Sequence, residues 1–253
     1  MGHMECEKCG GSGWRIVERD GISGAERCDC TPAETPRDFE SSANIPPLYS
    51  SASFDNFVLP NDNPIAYDQL SRVLVKVKSY IREFPFGPKP GLLLMGPTGT
   101  GKTHLAVAVL RALIEKGFEG LFFDYSNLLE RIRAGWNADA GSGERNTYEC
   151  CLEVPVLLLD DIGSQRAVEW VQDTMTAIVT QRCNDRKPLI VTTNLPDPDA
   201  GDAIVQRTPG VGKVEYRVTL AEKIGERARS RLFEMCELVR MPAMRDYRVS
   251  KIR

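Results

Sequence analysis

The sequence predicts an α/β domain built on a parallel five-stranded sheet, preceded by a small metal-binding module. Three observations carry this expectation. From about Ile65 onward, apolar runs of strand length alternate with segments of helical period, the signature of βαβ units. The first of those runs opens directly into a glycine-rich turn, Gly96–Thr103. Ahead of the domain, residues 4–31 carry four cysteines but too few apolar side chains to form a core of their own.

Composition sets the outer bounds. The 253 residues suffice for one full α/β domain with a small addition, and 42% apolar with 26% charged residues is ordinary for a globular chain. A net charge of −3 does not favour non-specific nucleic-acid binding, although arginines bunch near the C-terminus. No apolar run approaches the length of a membrane span, and no basic-then-apolar leader opens the chain. Eight cysteines without such a leader point to a reducing, cytoplasmic setting, with thiols free or on metal. Met1-Gly2-His3 ahead of Met4 reads as a cloning remnant, so His3 stays out of any metal argument.

The elements follow in order. Residues from about Pro32 to Pro64 are rich in Pro, Ser and Asn and predict a linker without regular structure, broken only by Phe54-Asp55-Asn56-Phe57. Gln69 to Phe84 has helical spacing and stops before Pro85. Gly91–Met95 is a short buried-type strand, and His104 to Lys116 a helix stopped by Gly117. Gly120–Asp124 is the second strand, and Ser126 caps a helix through about Arg133. Val154 to Leu159 is the third strand, Val168 to Cys183 a helix, and Pro188 to Thr192 the fourth strand. Leu220 to Cys236 reads as one long helix, and Glu237 to Met241 as the last strand.

Between the first strand and its helix lies Gly96-Pro97-Thr98-Gly99-Thr100-Gly101-Lys102-Thr103, with His104 following. Glycines let successive N–H groups converge on phosphate oxygens, and the helix N-terminus adds partial positive charge. These nine residues are the expected ATP-binding set. Lys102 is expected to bridge the outer phosphates and Thr103 to hold Mg2+. The third strand ends in Asp160 and Asp161, at the edge of a parallel sheet where ligands bind. Asp160 is the second Mg2+ ligand, and Asp161 the group that orients attacking water, although a carboxylate there can also simply cap a turn. Asn194, closing the fourth strand, has an amide suited to the γ-phosphate and the lytic water, and Asn-Leu-Pro is also an ordinary strand exit.

Cys6-x-x-Cys9 and Cys28-x-Cys30 supply four soft thiolate ligands, and a tetrahedral Zn2+ is the expected means of folding residues 4–31. The second pair is tighter than the usual Cys-x-x-Cys. Cys150, Cys151, Cys183 and Cys236 sit in apolar patterns and read as core.

Gly96–Ala106, Leu157–Gly163 and Thr192–Leu195 together resemble the AAA+ ATPases, and within them the DnaC/DnaI helicase loaders with their transposition relative IstB. The likeness runs from about Ser53 to the C-terminus, which sets residues 32–52 as linker and 53–253 as ATPase domain. It implies the strand order 5-1-4-3-2 and self-association into a ring or spiral with ATP between subunits. It also implies that Arg231, in Gly225-Glu226-Arg227-Ala228-Arg229-Ser230-Arg231-Leu232, reaches the neighbour's γ-phosphate, with Arg227 the weaker choice. A solvated basic helix face would show the same pair.

The resemblance further implies that the helix after the second strand lines a channel for single-stranded DNA. Tyr125, Arg131, Arg133 and Trp136 would supply stacking and charge there, as would any exposed amphipathic helix. Asp246-Tyr247-Arg248 is similar to the family's C-terminal ending and carries no assigned chemistry. Pro198 to Val218 is longer and more polar than the resemblance leads one to expect. DnaI-like loaders carry a zinc module that docks on the helicase. The function implied is an ATP-dependent loader of the hexameric replicative DNA helicase onto single-stranded DNA, with slow hydrolysis because Asp161 is shorter than the Glu common at its position. An IstB-like transposition helper and an ATP-gated adaptor with negligible turnover are the alternatives.

Overall fold

The computed structural model describes residues 14–19, 22–27, 36–137, 147–207 and 214–250. At the N-terminus, β1 (Trp14–Arg19) and β2 (Ile22–Arg27) form an antiparallel hairpin in which Trp14 pairs with Arg27. Cys6, Cys9, Cys28 and Cys30 lie outside the described residues. The stretch expected to lack regular structure instead carries α1 (Pro36–Ser42) and a single 3-10 turn at Pro47–Tyr49. Ala43 and Ala52 are buried there, and the Ala43 carbonyl accepts from Phe122 N at 2.8 Å. Composition obscured this because the segment is anchored by small side chains and backbone bonds.

In α2 (Pro64–Glu83), the Asn63 side chain accepts from Ala66 N and Pro64 takes the first turn, so the helix begins well before the periodic residues signal it. Next come β3 (Gly91–Met95), α3 (Lys102–Glu115), β4 (Gly120–Asp124), α4 (Tyr125–Asn137) and α5 (Thr147–Glu153), the last not anticipated. They are followed by β5 (Val156–Asp160), α6 (Glu169–Asn184) and β6 (Leu189–Thr193). The polar 198–218 stretch holds a small antiparallel hairpin, β7 (Val205–Arg207) with β8 (Val214–Tyr216). The long helix expected over Leu220–Cys236 is two helices, α7 (Leu220–Ile224) and α8 (Glu226–Met235). Gly225 between them adopts φ 87°, which no continuing helix permits, and Thr219 with Glu222 closes a capping box on α7. The chain ends with β9 (Cys236–Arg240) and α9 (Tyr247–Ser250).

The central sheet has the order β4-β5-β6-β3-β9 with every pairing parallel, which is the expected 5-1-4-3-2 order. β3, β5 and β6 are buried throughout, as strands covered on both faces must be. One face packs α2, α3 and the Ala43–Ala52 stretch around Leu70, Val77, Leu105 and Leu158. The other packs α4 to α8 around Leu128, Leu157, Met175, Ile178 and Leu232.

Arg182 is buried between α5, α6 and the strands. It donates to the carbonyls of Cys151, Val154, Pro155 and Pro188 at 2.5–3.0 Å, which gives the buried Cys151 and Val154 carbonyls a donor. Among the described residues no helix is long and apolar enough to cross a membrane.

Candidate nucleotide site at the carboxyl edge of the sheet

Parallel strands all deliver their C-terminal ends to one edge, so the residues that follow β3, β5 and β6 meet there. Gly101, at φ 88°, is the N-cap of α3, and a Cβ on it would fall 2.6 Å from Phe57 Cε2. Only glycine makes this turn against the Phe57 ring. Lys102, 6% exposed, donates to the Gly96 and Pro97 carbonyls at 2.8 and 2.7 Å. Burial pushes its pKa down to about 8, against the pull of Asp161 and Asp160.

The two carboxylates diverge. Asp160 Oδ2 accepts from the Thr103 hydroxyl at 3.1 Å and Oδ1 from the Thr192 hydroxyl at 2.6 Å. Asp161 adopts φ 56°, its N–H donates to Thr192 Oγ1 at 2.8 Å, and its Oδ1 accepts from Asn194 Nδ2 at 2.6 Å. Burial raises the pKa of both, against the Thr192 and Thr103 hydrogen bonds at Asp160 and the Lys102 charge at Asp161. The three sequence motifs are therefore one hydrogen-bonded unit, with Thr192 as a hub that sequence reasoning did not single out.

Two neighbouring cavities lie at this edge of the sheet and share lining residues. One, of about 600 Å³, is lined by Lys102, Thr103, Asp160, Asp161, Asn194 and Arg248 among others. The other, of about 300 Å³, is walled by Leu48, Phe57, Val58, His104, Met244 and Tyr247. Gly101, His104 and Tyr247 border both. His104 Nε2 lies 2.8 Å from the Ser53 carbonyl and its ring packs edge-on to Phe57, which ties α3 to the 53–57 segment. A polar chamber that sets Lys102 and Arg248 beside Asp124, Asp160 and Asp161, next to an apolar, aromatic one, fits a nucleotide with a divalent cation. The hard oxygen donors Thr103 Oγ1 and Asp160 Oδ2 fit a small divalent cation such as Mg2+.

Arg231 is exposed on α8 and hydrogen-bonds Glu234 at 2.5 Å, and among the described residues no cleft residue is joined to it. Arg227 is exposed on the same helix. Arg229, between them, is committed instead to Asp197, with Nε and Nη2 on its two oxygens. Burial alone would raise the Asp197 pKa, yet the Arg229 and Ala200 hydrogen bonds hold it below the usual range. This pair fastens α8 to the loop that leaves β6 just after Asn194.

Of the residues expected to contact DNA, Tyr125 is a correction. It is 0% exposed and packed in the core with Leu128 and Ile132, so it offers no face for a base. Arg131 and Arg133 are exposed on α4, over Phe123 and Trp170 at 6.0 and 5.8 Å. The Trp136 side chain lies outside the described residues, as do the zinc cysteines. Among the described residues no cluster of three or more His, Cys, Asp or Glu is arranged to hold a metal.

Phe57, Met244, Tyr247 and Arg248 line the cavities although the sequence reading gave none of them a site role. The available signal was topological: β9 runs parallel to β3, so whatever follows Arg240 emerges at the ligand edge.

Comparison with known proteins agrees with this geometry. Residues 87–208 match the family of IstB-like ATP-binding proteins, IstB_IS21. The uncharacterized protein YdaV of Escherichia coli (strain K12) is 30% identical over 154 residues, covering 60% of this chain and 58% of YdaV. The replicative helicase loader DnaC of the same strain is 26% identical over 152 residues, covering 60% and 59%. The chain thus matches just under three-fifths of the length of these relatives.

Among solved structures, a DnaC helicase loader superposes with a TM-score of 0.59 at 31% identity, over 78% of this chain and all of that one. DnaI superposes at 0.55 with 20% identity, over 81% and 97%, which shows the shared fold. With a loader of known structure matched along its whole length, and an ATP-binding family matched across the cleft residues, this chain belongs to the IstB/DnaC-like family of AAA+ ATP-binding proteins.

Proposed function

We propose that the chain is a cytoplasmic ATPase that loads a hexameric replicative DNA helicase onto single-stranded DNA during replication initiation or restart. The observation that carries the reading is the single unit formed by Thr103, Asp160, Thr192, Asp161 and Asn194 beside Lys102 at the sheet edge. Its relatives named replicative helicase loaders supply the process.

In this reading Phe57, Val58, Met244 and Tyr247 enclose the base, while the loop Gly96–Gly101 and the α3 N-terminus face the phosphates. Lys102 compensates the charge of the outer phosphates, and Thr103 with Asp160 would hold Mg2+. The bound ion supplies divalent charge on the phosphate oxygens. Asp161 accepts a hydrogen bond from the attacking water, and Asn194 fixes the Asp161 carboxylate through its own amide bond to Oδ1. An aspartate at this position reaches less far than a glutamate, so slow turnover is the expectation.

Arg231 is the residue that acts in trans. Exposed on α8 and bonded among the described residues to the surface Glu234, it is available to a neighbour's cleft in a ring or spiral. Hydrolysis then depends on assembly. Arg131 and Arg133 on α4 are the residues offered to the DNA backbone. The four cysteines Cys6, Cys9, Cys28 and Cys30 hold Zn2+ at the hairpin β1–β2, whose ends Trp14 and Arg27 sit side by side and so favour a compact metal-closed module for docking on the helicase.

The test is association. Purified chain is mixed with the hexameric replicative helicase of its own cell and the complex is followed by size exclusion and light scattering. A stable complex is expected, and its absence with and without ATP sinks the loader reading. The match to IstB-like proteins favours a second reading, a transposition helper acting on duplex DNA. ATP-dependent filaments on duplex DNA, with no helicase complex, select that one.

A further inference from the structure

Asp197, three residues past Asn194, is wholly buried and lines neither cavity. Its loop is fixed from several sides. The Asp197 N–H donates to Asp202 Oδ2 at 3.0 Å, Asp202 N returns to the Asp197 carbonyl at 3.0 Å, and Ala200 N donates to Asp197 Oδ1 at 3.1 Å. Asp202 is reached in turn by Arg240 at the end of β9, and the Pro196 carbonyl accepts from Leu220 N at the start of α7. The Asp197 carboxylate is therefore a rigid point beside the sheet edge.

α8 is held less firmly. It starts at Gly225, which supplies no side-chain cap, and its buried residues are Ala228, Leu232 and Met235. A stripe that narrow, with an alanine in it, specifies the rotation of a short helix weakly. What opposes rotation is Arg229. Its Nε and Nη2 lie 2.7 and 2.5 Å from the two Asp197 oxygens, Asp199 Oδ2 lies 2.9 Å from Nη2, and the guanidinium sits 4.7 Å over the Phe233 ring. A forked, charge-assisted pair on a buried carboxylate fixes direction as well as distance. Successive helical residues are turned by about 100°, so Arg231 stands about 200° round from Arg229, and Arg227 within about 40° of Arg231. Locking Arg229 inward turns Arg227 and Arg231 outward together, in keeping with their exposure.

We propose that Asp197 and Arg229 are positioning residues for hydrolysis in trans: their pair sets the rotation of α8 that aims Arg231 at the neighbouring subunit's cleft. This rests on the reading of Arg231 as the residue that acts in trans. The pair works in the subunit that gives the arginine. Its loss leaves that subunit's own cleft intact, because neither residue lines a cavity and Asn194 is held separately by Asp161. With the pair broken, Arg231 stays charged and exposed but is free to point away, so turnover falls while nucleotide affinity stays.

The experiment mixes two full-length variants, Arg231→Ala as giver of the cleft and Lys102→Ala as giver of the arginine. Phosphate release at saturating ATP is followed as the second is added to a plateau. Asp197→Asn is then placed in one partner at a time. In the arginine giver it is expected to lower the plateau about 10- to 100-fold with KM for ATP unchanged, and in the cleft giver to change it by less than about 2-fold. Arg229→Lys keeps a charge beside the buried carboxylate but loses the fork, so it carries the same test without leaving Asp197 unpaired, with a smaller loss expected from the same partner. Equal loss from either partner, or loss from neither, overturns the proposal. No recovery in the parent mixture overturns the trans role of Arg231 itself.

Discussion

Binding of ATP should pull a proton onto Lys102. In the free protein this ammonium is almost wholly withdrawn from solvent, and burial brings its pKa from 10.5 down to about 8. The neutral fraction is then about 0.1 at pH 7, about 0.5 at pH 8 and about 0.9 at pH 9. Phosphate oxygens beside the amine favour its charged form, so the bound state keeps the proton through this range.

Proton uptake per nucleotide should therefore climb from about 0.1 to about 0.9 between pH 7 and pH 9, and affinity should fall about 50-fold between pH 8 and pH 10. The sign follows from linkage: the bound state holds more protons than the free state, so raising pH opposes binding. Isothermal titration calorimetry in pairs of buffers with different ionisation enthalpies reads the uptake. Lys102→Arg, whose guanidinium does not titrate here, is the control that cancels protons contributed by the nucleotide and the carboxylates. Equal uptake in wild type and Lys102→Arg, or none at pH 9, refutes the assignment of a buried, depressed lysine to the phosphate contact.

The remaining expectations address turnover, assembly and the frame. Asp161→Asn should lower phosphate release by about 100-fold or more while nucleotide affinity stays within a few-fold, because the carboxylate is assigned to water and not to the ligand. Asn194→Ala should mimic it in steady-state phosphate release. Lys102→Ala and Arg231→Ala should each be inert alone yet recover phosphate release when mixed, since an intact cleft can then meet an intact arginine from its neighbour; no recovery at any ratio removes Arg231 from the trans role. Arg182→Met should cost about 2–4 kcal/mol in urea unfolding, because the buried Cys151 and Val154 carbonyls lose their donor, and a loss below about 1 kcal/mol would mean water replaces it.

The sheet was legible in the sequence because its strands are continuous apolar runs, Leu92–Met95 and Val156–Leu159 above all, and a parallel sheet covered on both faces demands just that pattern. The cleft residues Lys102, Thr103, Asp160, Asp161 and Asn194 were legible because each follows such a strand or opens the helix after it. What escaped was held by signals that periodicity does not contain. Gly225 divides one apparent helix into two through its φ, while the residues on either side keep an amphipathic pattern. The 36–52 segment docks through Ala43, Ala52 and backbone bonds, which carry little apolar weight. Tyr125 looked like a stacking platform because an aromatic beside arginines has that appearance, but the first residue of α4 turns inward between Leu128 and Ile132. The tail at Asp246–Arg248 lies far from the phosphate loop in sequence and reaches it only because β9 is parallel to β3.

The central claim, ATP-driven helicase loading, is tested most directly by the occupancy of the cognate helicase on single-stranded DNA, measured by single-molecule fluorescence with labelled helicase and this chain in excess. The account predicts that wild type with ATP raises occupancy well above helicase alone and that Lys102→Ala does not. Occupancy unchanged by wild type, or raised equally by Lys102→Ala, would contradict it.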